Sequence, residues 1–446
     1  MMQVTETQAQ GLKREFKVVL EAAELAQRLD DQLTDLKGKV RINGFRQGKV
    51  PLSHLKRIYG RSMMADVVKD AVNEANRKIV DDNGLRLAGE PKIDFPEDQA
   101  ELQKAFAAEG DLAFVVNVEV LPKFEIGSFD DVEVERLTAG VSEEAVDKAL
   151  DGLIERNRPF APKEGGAAKG DKVTIDFVGK VGGEAFNGGA GTDVELILGS
   201  ATFLPGFEDQ LEGIEPGTQR VVKATFPENY GEAELAGKEA EFEVTCKAVQ
   251  APGVVVADDA FAQGFSYDSL DKLKEALRAN IEREYARISR ERIKRALLDA
   301  LDKKYTFDLP EGLVAQEFDA IWRQAEAEQK QSGRSFADEG TTEEEARADY
   351  RKIAERRVRL GLVLADVGEN AGVKVSDEEM SQALFERVRQ FPGREKEVWE
   401  YMHKNQDVLA QVRAPLYEDK VVDHILSRAK ITERQVSPEE LAQMPD

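Results

Sequence analysis

At 446 residues the chain is too long for one compact core, and the usual size of a domain implies about three of them. Hydrophobic residues at 41% exclude wholesale disorder, and a formal charge of -24 makes the surface as a whole repel nucleic acid. Any contact with a polyanion therefore needs a local basic patch, so the distribution of charge says more than its sum.

The first twenty residues lack the basic start, apolar run and small-residue cleavage site of a secretory signal, and no segment offers about 18 consecutive apolar residues. A cytoplasmic location with no membrane partner is the expectation. KREFKVVL reads as a strand, and Leu25, Leu29, Leu33 and Leu36 then fall on one helical face. A turn over Gly44 to Pro51 leads into a second amphipathic helix marked by Met64, Val68, Ala71, Val72, Ala75 and Ile79. KIDF and LAFVVNVEV supply further strands, which makes residues 1–115 an α+β domain. Residues 116–163 read as a linker, with one short helix starting near Ser142 and the loose sequence PKEGGAAKG running on from its end.

Residues 164–250 are strand-like: KVTIDFVG, VELILG, RVVKATF and EFEVTCKAV stand between Gly-rich and Pro-containing turns. Cys246 is the only cysteine, so no internal disulfide or thiolate metal site can form, and its place in an alternating strand makes it a buried thiol. From about residue 266 onward nearly everything reads as helix, with capping boxes expected at Thr342 to Glu345, Ser376 to Glu379 and Ser437 to Glu440. The apolar stripes there are narrow, which suits paired arms better than one thick bundle. Residues 251–446 make up this last domain.

Eight Lys or Arg residues (Lys37, Lys39, Arg41, Arg46, Lys49, Lys56, Arg57 and Arg61) stand between positions 37 and 61 without a single Asp or Glu. A basic run is ordinarily a solvated face. Here Gly44, Gly48 and Pro51 shape a tight loop, and Phe45 at its tip has no evident core partner. An exposed aromatic among cations suits a surface of RNA phosphate and protein together. The loop reads GFRQGKVP and resembles the ribosome-docking signature of trigger factors, in which phenylalanine, arginine and lysine usually follow one another. Phe45 and Arg46 match, while Gln47 replaces the lysine and removes one charge. The resemblance implies a ribosome contact through Gly44, Phe45, Arg46, Gln47, Gly48 and Lys49, beside the peptide exit tunnel, with ribosomal protein L23 and adjacent rRNA as partners.

The middle block resembles FKBP-type peptidyl-prolyl isomerases along its length, through IDFVGKVGGEAFNGG, VELILGSATFLPGFEDQLEGI, FPENYG and EFEVTCKAV. That resemblance implies a pocket lined by Phe177, Phe186, Val194, Phe203, Leu204, Phe207, Tyr230 and Phe242. For Val194 or Phe242 taken alone, an ordinary sheet core is the better explanation. LPGFEDQL, by contrast, carries more large apolar side chains than a surface loop needs. Twisting an amide faces a barrier of about 18–20 kcal/mol, chiefly lost resonance, so an apolar pocket that accepts the twisted form can catalyse without an acid, base or nucleophile. Tyr230 would hold the substrate carbonyl. Asn187 replaces an aspartate and Phe177 a tyrosine common in single-domain relatives, which implies slower turnover or a looser substrate preference.

Other enzyme chemistry is disfavoured. His54, His403 and His424 lie far apart in the chain, and no GxxxxGK[ST] follows a strand. No cofactor, metal or ATP is expected. A C-terminal stretch, DVLAQVRAPLYEDKVVDHILSRAKITERQVSPEEL, also resembles the closing helices of trigger factors. Together the three resemblances imply an α+β multidomain chain: a ribosome-binding domain, an FKBP-like antiparallel β domain and an elongated all-α C-terminal domain with arms. They imply a chaperone for nascent and unfolded polypeptides, in a family whose members can self-associate when free of the ribosome. Ile321, Trp322, Phe336, Phe385, Phe391, Trp399 and Tyr401 are, taken together, the expected apolar contacts for clients, although any one of them alone is better read as core. A free-standing prolyl isomerase and a structural adaptor with an inert pocket remain the alternatives.

Overall fold

The computed structural model describes residues 2–443 except positions 44, 47, 97, 228, 229, 231, 233, 234, 334 and 339, together with the side chains of all described residues but Gln99 and Asn187. Its contacts divide the chain into two compact units, one of Met1–Glu133, Leu297–Glu326 and Gly340–Lys430, the other of Val134–Ala296, Ala327–Glu339 and Ile431–Asp446.

The chain opens with β1 (Gln3–Gln10) and β2 (Lys13–Leu20), turns into α1 (Ala22–Lys39) and α2 (Leu52–Asn83), and continues through β3 (Lys92–Asp94), α3 (Gln99–Phe106) and β4 (Leu112–Glu119). The strands form one antiparallel sheet in the order β1-β2-β4-β3. Period two in LAFVVNVE puts Leu112, Phe114, Val116 and Val118 on the buried face, where Leu25, Leu29 and Leu33 of α1 and Met64, Val68, Ala71, Ala75 and Ile79 of α2 meet them. Leu36 and Val72, expected on the same faces, are only half-buried. Gly84, at φ +57, closes α2 in the left-handed conformation that lacks a steric cost only for glycine. β4 runs four residues beyond position 115.

β5 (Glu133–Thr138) and α4 (Glu143–Arg156) follow, the helix capped by Ser142 as its sequence implied. Next come β6 (Phe160–Pro162), β7 (Lys172–Val181), β8 (Glu184–Ile197), a 3-10 turn at Asp209–Leu211, β9 (Gln219–Thr225) and β10 (Glu239–Pro252). These five strands make an antiparallel sheet in the order β6-β10-β7-β8, with β9 pairing along Glu239–Thr245 of β10 and β6 along its last three residues. The segment read as loose is fastened. The Lys163 ammonium and the Ala168 amide both donate to the buried Asp171 carboxylate, and the Ala167 amide donates to the Ile214 carbonyl while the Gly213 amide donates to that of Ala167, which ties the segment to the chain just after the 3-10 turn. Cys246 is fully buried, and burial pushes its thiol pKa up.

The rest is helical: α5 (Asp259–Gln263), α6 (Leu270–Lys304), α7 (Glu311–Ser332), α8 (Glu343–Asn370), α9 (Asp377–Val388), α10 (Glu395–Lys404), α11 (Gln406–Leu426) and α12 (Pro438–Ala442). One strand interrupts it, β11 (Lys430–Gln435), which pairs with β5. The capping boxes at Thr342 and Ser376 are closed in both directions. The third is half made. Ser437 accepts from the Glu440 amide, but the Glu440 carboxylate turns to Arg434 at 2.8 Å instead of back to the cap.

Candidate functional site

Two places collect the residues that the sequence marked. The first is the connection between α1 and α2. Val50 is fully buried, and Val40 and Ile42 pack on the same core, so the loop's two feet are fixed. Its tip is made of turns, with the Phe45 amide donating to the Ile42 carbonyl and the Lys49 amide to that of Arg46, and Gly48 takes φ +75. Phe45 remains 40% exposed, its ring 5.1 Å from that of His54. His54 Nδ1 in turn lies 3.3 Å from the Arg57 guanidinium. Arg46 and Lys49 are exposed, and none of the eight cations pairs with a carboxylate among the described residues. Gly44 and Gln47 lie outside the described residues. Leu52 and Ile58, in the first turns of α2, are also exposed. Sequence reading missed them because at one end of an amphipathic helix they look like ordinary stripe positions; their offset from the Leu55, Met64 and Val68 face was the available signal.

The second place is an aromatic web in the β6–β10 domain. Phe207 (1% exposed) and Phe242 are its buried floor, edge to face at 5.3 Å. Phe177 of β7 meets Phe203, Phe207 and Phe242 edge-on at 5.9, 6.5 and 6.1 Å, and Phe203 stacks on Phe207 at 5.0 Å. Phe186 of β8 extends the web to Phe242 and to Phe226, which opens the FPENYG motif but is not among the expected pocket residues. Phe177, Phe186, Val194, Phe203 and Leu204 are half-buried around this floor. Tyr230 stands at the rim, 41% exposed and 4.6 Å from Phe226, and its hydroxyl makes no hydrogen bond among the described residues. The Asn187 side chain is not described.

Three glycines of GKVGGEAFNGGAG have a packing role. A Cβ on Gly179 would come within 2.6 Å of the Phe242 ring, one on Gly189 within 2.7 Å of Phe186, and one on Gly191 within 2.7 Å of Phe177. Each ring lies flat where a side chain is missing, so the cluster that cannot cradle a phosphate seats the aromatic walls instead.

One buried charge braces the web. The Glu208 carboxylate accepts from the amides of Gly199 (2.8 Å), Ala201 (3.0 Å), Thr202 (2.8 Å) and Phe203 (3.1 Å), and from the Ser200 hydroxyl (3.3 Å). Burial alone would push its pKa up, but the four amide donors outweigh burial and the net shift is downward.

The expected client contacts divide. Ile321 is buried with Val314 and Ala354, and Trp322 is buried against Phe318 and Tyr350 with Arg347 lying over its ring at 4.1 Å, so both are core and leave the set of exposed contacts. Phe336 and Trp399 are half-buried, the latter against Met380 and Leu384. Phe385, Phe391 and Tyr401, on α9, α10 and the turn between them, are exposed.

Among the described residues no group of three His, Cys, Asp or Glu could hold a metal, and no helix is long and apolar enough to cross a membrane.

Comparison with known proteins gives matches along nearly the whole length. Residues 2–153 match the family described as bacterial trigger factor protein (TF), residues 269–427 the bacterial trigger factor protein (TF) C-terminus, and residues 163–247 the FKBP-type peptidyl-prolyl cis-trans isomerase family. The trigger factor of Methylocella silvestris is 66% identical over 443 residues, covering 99% of this chain and 96% of that protein. That of Azorhizobium caulinodans is 54% identical, with 99% and 98% covered. A solved structure described as "Promiscuous Substrate Recognition in Folding and Assembly Activities of the Trigger Factor Chaperone" superposes with a TM-score of 0.55 at 21% identity, over 95% of this chain and 99% of that one, which is a likeness of fold.

Proposed function

Since the chain belongs to the trigger factor family of ribosome-associated chaperones and carries an FKBP-type isomerase domain, we propose that it docks through the α1–α2 loop and isomerises prolyl bonds in the chains it receives. The observation that carries the docking reading is Phe45, exposed at the tip of a loop whose cations have no carboxylate partner among the described residues. An apolar ring supplies contact area for protein, while Arg46, Lys49 and the cations of α2 supply phosphate contacts. Ribosomal protein L23 and the adjacent rRNA are the proposed partners, with Gly44, Gln47 and Gly48 completing the loop, and the cytoplasm is the proposed location.

The isomerase reading draws on Phe177, Phe186, Phe203, Leu204, Phe207 and Phe242, an apolar surface that favours the twisted amide over the planar, more polar one. Tyr230, whose hydroxyl makes no hydrogen bond among the described residues, stands at the rim to donate to the substrate carbonyl. The working division is a ribosome-binding domain at 1–115, extended to Glu119 by β4, a linker to 163, the isomerase domain at 164–250 and a client-binding helical region at 251–446. Phe385, Phe391 and Tyr401 are its proposed client contacts.

Two measurements on the full chain test this reading. It should pellet with ribosomes, less so as salt rises, because neutralised phosphates release counterions. It should also accelerate a refolding step limited by prolyl isomerisation, which uncatalysed takes tens to hundreds of seconds. Failure to pellet at low salt removes the docking reading, and an unchanged refolding rate removes the isomerase reading.

A further inference from the structure

Two carboxylates are buried among the described residues, Asp171 and Glu208, and their surroundings differ. Asp171 pairs with Lys163 and accepts the Ala168 amide, so it fastens the segment that enters the isomerase domain. Glu208 has no cation beside it among the described residues. An ionised carboxylate buried in that way is costly unless donors fill its lone pairs. Here five donors from the consecutive residues 199–203 do so, two amides on Oε2 and two amides with the Ser200 hydroxyl on Oε1.

The loop is wrapped around one negative charge, and its backbone needs that anchor. Ala201 has φ +55, a left-handed conformation that a non-glycine residue keeps only where its surroundings over-determine it. The last amide held is that of Phe203. Its ring stacks on Phe207, the residue just before Glu208, and meets Phe177 edge-on. One side chain thus ties the pocket's floor to its half-buried wall.

We infer that Glu208 is a positioning residue for prolyl isomerisation: by gathering the amides of residues 199–203 it fixes Phe203 against Phe207 and sets the width of the slot that takes the proline ring. The inference rests on the isomerase reading above. Glu208 acts through Phe203 and does not touch the substrate. With its carboxylate lost, the four amides have no common acceptor, and the substrate must order Phe203 as it binds. That cost falls equally on the bound ground state and the transition state, so it raises KM and leaves kcat. A residue that only supported the fold would lower the folded fraction, which reduces apparent kcat at unchanged KM.

The test is steady-state isomerisation of a chromogenic prolyl tetrapeptide by the full-length chain, for wild type, Glu208→Gln and Asp171→Asn, with Tm measured on each. Glu208→Gln should raise KM about tenfold, the equivalent of ordering one side chain on binding, with kcat nearly unchanged. Asp171→Asn should lower Tm and leave KM alone. A wild-type KM in Glu208→Gln, or a loss confined to kcat and Tm, overturns the inference. If Glu208→Gln does not fold, Ser200→Ala decides, since it removes a single donor to the same carboxylate: KM about doubled supports the inference and an unchanged KM overturns it. A wild-type chain that leaves the tetrapeptide rate untouched instead refutes the isomerase reading, and the inference falls with it.

Discussion

Gly179 on β7 stands directly across the ladder from Phe242 on β10, and the Phe242 ring occupies the place where a side chain at 179 would begin, 2.6 Å from a Cβ built there. The contact is to backbone-anchored rings on both sides, since Phe186 is only 2.9 Å from the same point. Gly179→Ala must therefore push Phe242 off the pocket floor. It should destabilise the domain by about 1–3 kcal/mol, as overpacking does, and reduce isomerase activity well beyond the loss of folded protein. Thermal unfolding and the tetrapeptide assay on the same sample check this; unchanged activity would show that Phe242 does not form the floor.

Phe203 and Phe207 stack on each other yet should respond differently. Phe207 is 1% exposed and belongs to the domain's core, so Phe207→Ala should cost about 3–5 kcal/mol and confound any activity measurement. Phe203 is half-buried. Phe203→Ala should keep the near-UV circular dichroism of a folded domain and lose most isomerase activity, whereas full retained activity would remove Phe203 from the pocket.

Glu379 links two helices by serving as the third residue of the α9 capping box and as partner of Lys420 on α11, at 2.7 and 2.8 Å. The Lys420 ammonium first, then the Ser376 amide, hold its pKa down at about 2 against an ordinary 4.5. A lowered folded-state pKa contributes stability that is present above the unfolded value and lost as pH falls through the folded one. The α9–α11 contact should thus weaken between pH 4.5 and about 2, with the carboxyl signal of Glu379 titrating near the lower end. Glu379→Gln should remove that part of the acid transition; a Glu379 signal titrating near 4.5 would mean that the pair does not persist in solution.

Phe385, Phe391 and Tyr401 are exposed where Ile321 and Trp322 are not. Replacing all three by Ser should leave Tm almost unchanged, each exposed substitution being worth less than about 0.5 kcal/mol, while suppression of a refolding client's aggregation falls. Trp322→Ala should instead cost about 3–5 kcal/mol through lost packing, so any loss of holding activity there should follow loss of fold. Undiminished suppression by the triple variant would place the holding surface elsewhere.

Periodicity within a segment made much of this legible. The leucines of α1, the alternation in β4 and the boxes at Thr342 and Ser376 need only neighbours a few residues away. β11 was hidden for the opposite reason. KITERQ has one apolar side chain, and its partner strand lies about three hundred residues earlier, joined through ion pairs such as Arg434 with Glu135 and Arg136 with Glu433. The burial of Ile321 and Trp322 depends on Tyr350 and Ala354 of another helix, which no single stripe reveals. In the aromatic web, family likeness supplied the phenylalanines, but not Glu208, whose five bonds to a loop a lone acidic letter does not suggest.

The central claim is that Phe45 and Arg46 carry the ribosome contact, and co-sedimentation of the Phe45→Ala/Arg46→Ala chain with ribosomes tests it most directly. Both side chains are exposed, so the variant should keep the wild-type Tm. The account predicts that it stays in the supernatant at a salt concentration where the wild-type chain pellets, and that the wild type itself is released as salt rises. A double variant that pellets as wild type does, with the same salt dependence, would contradict it.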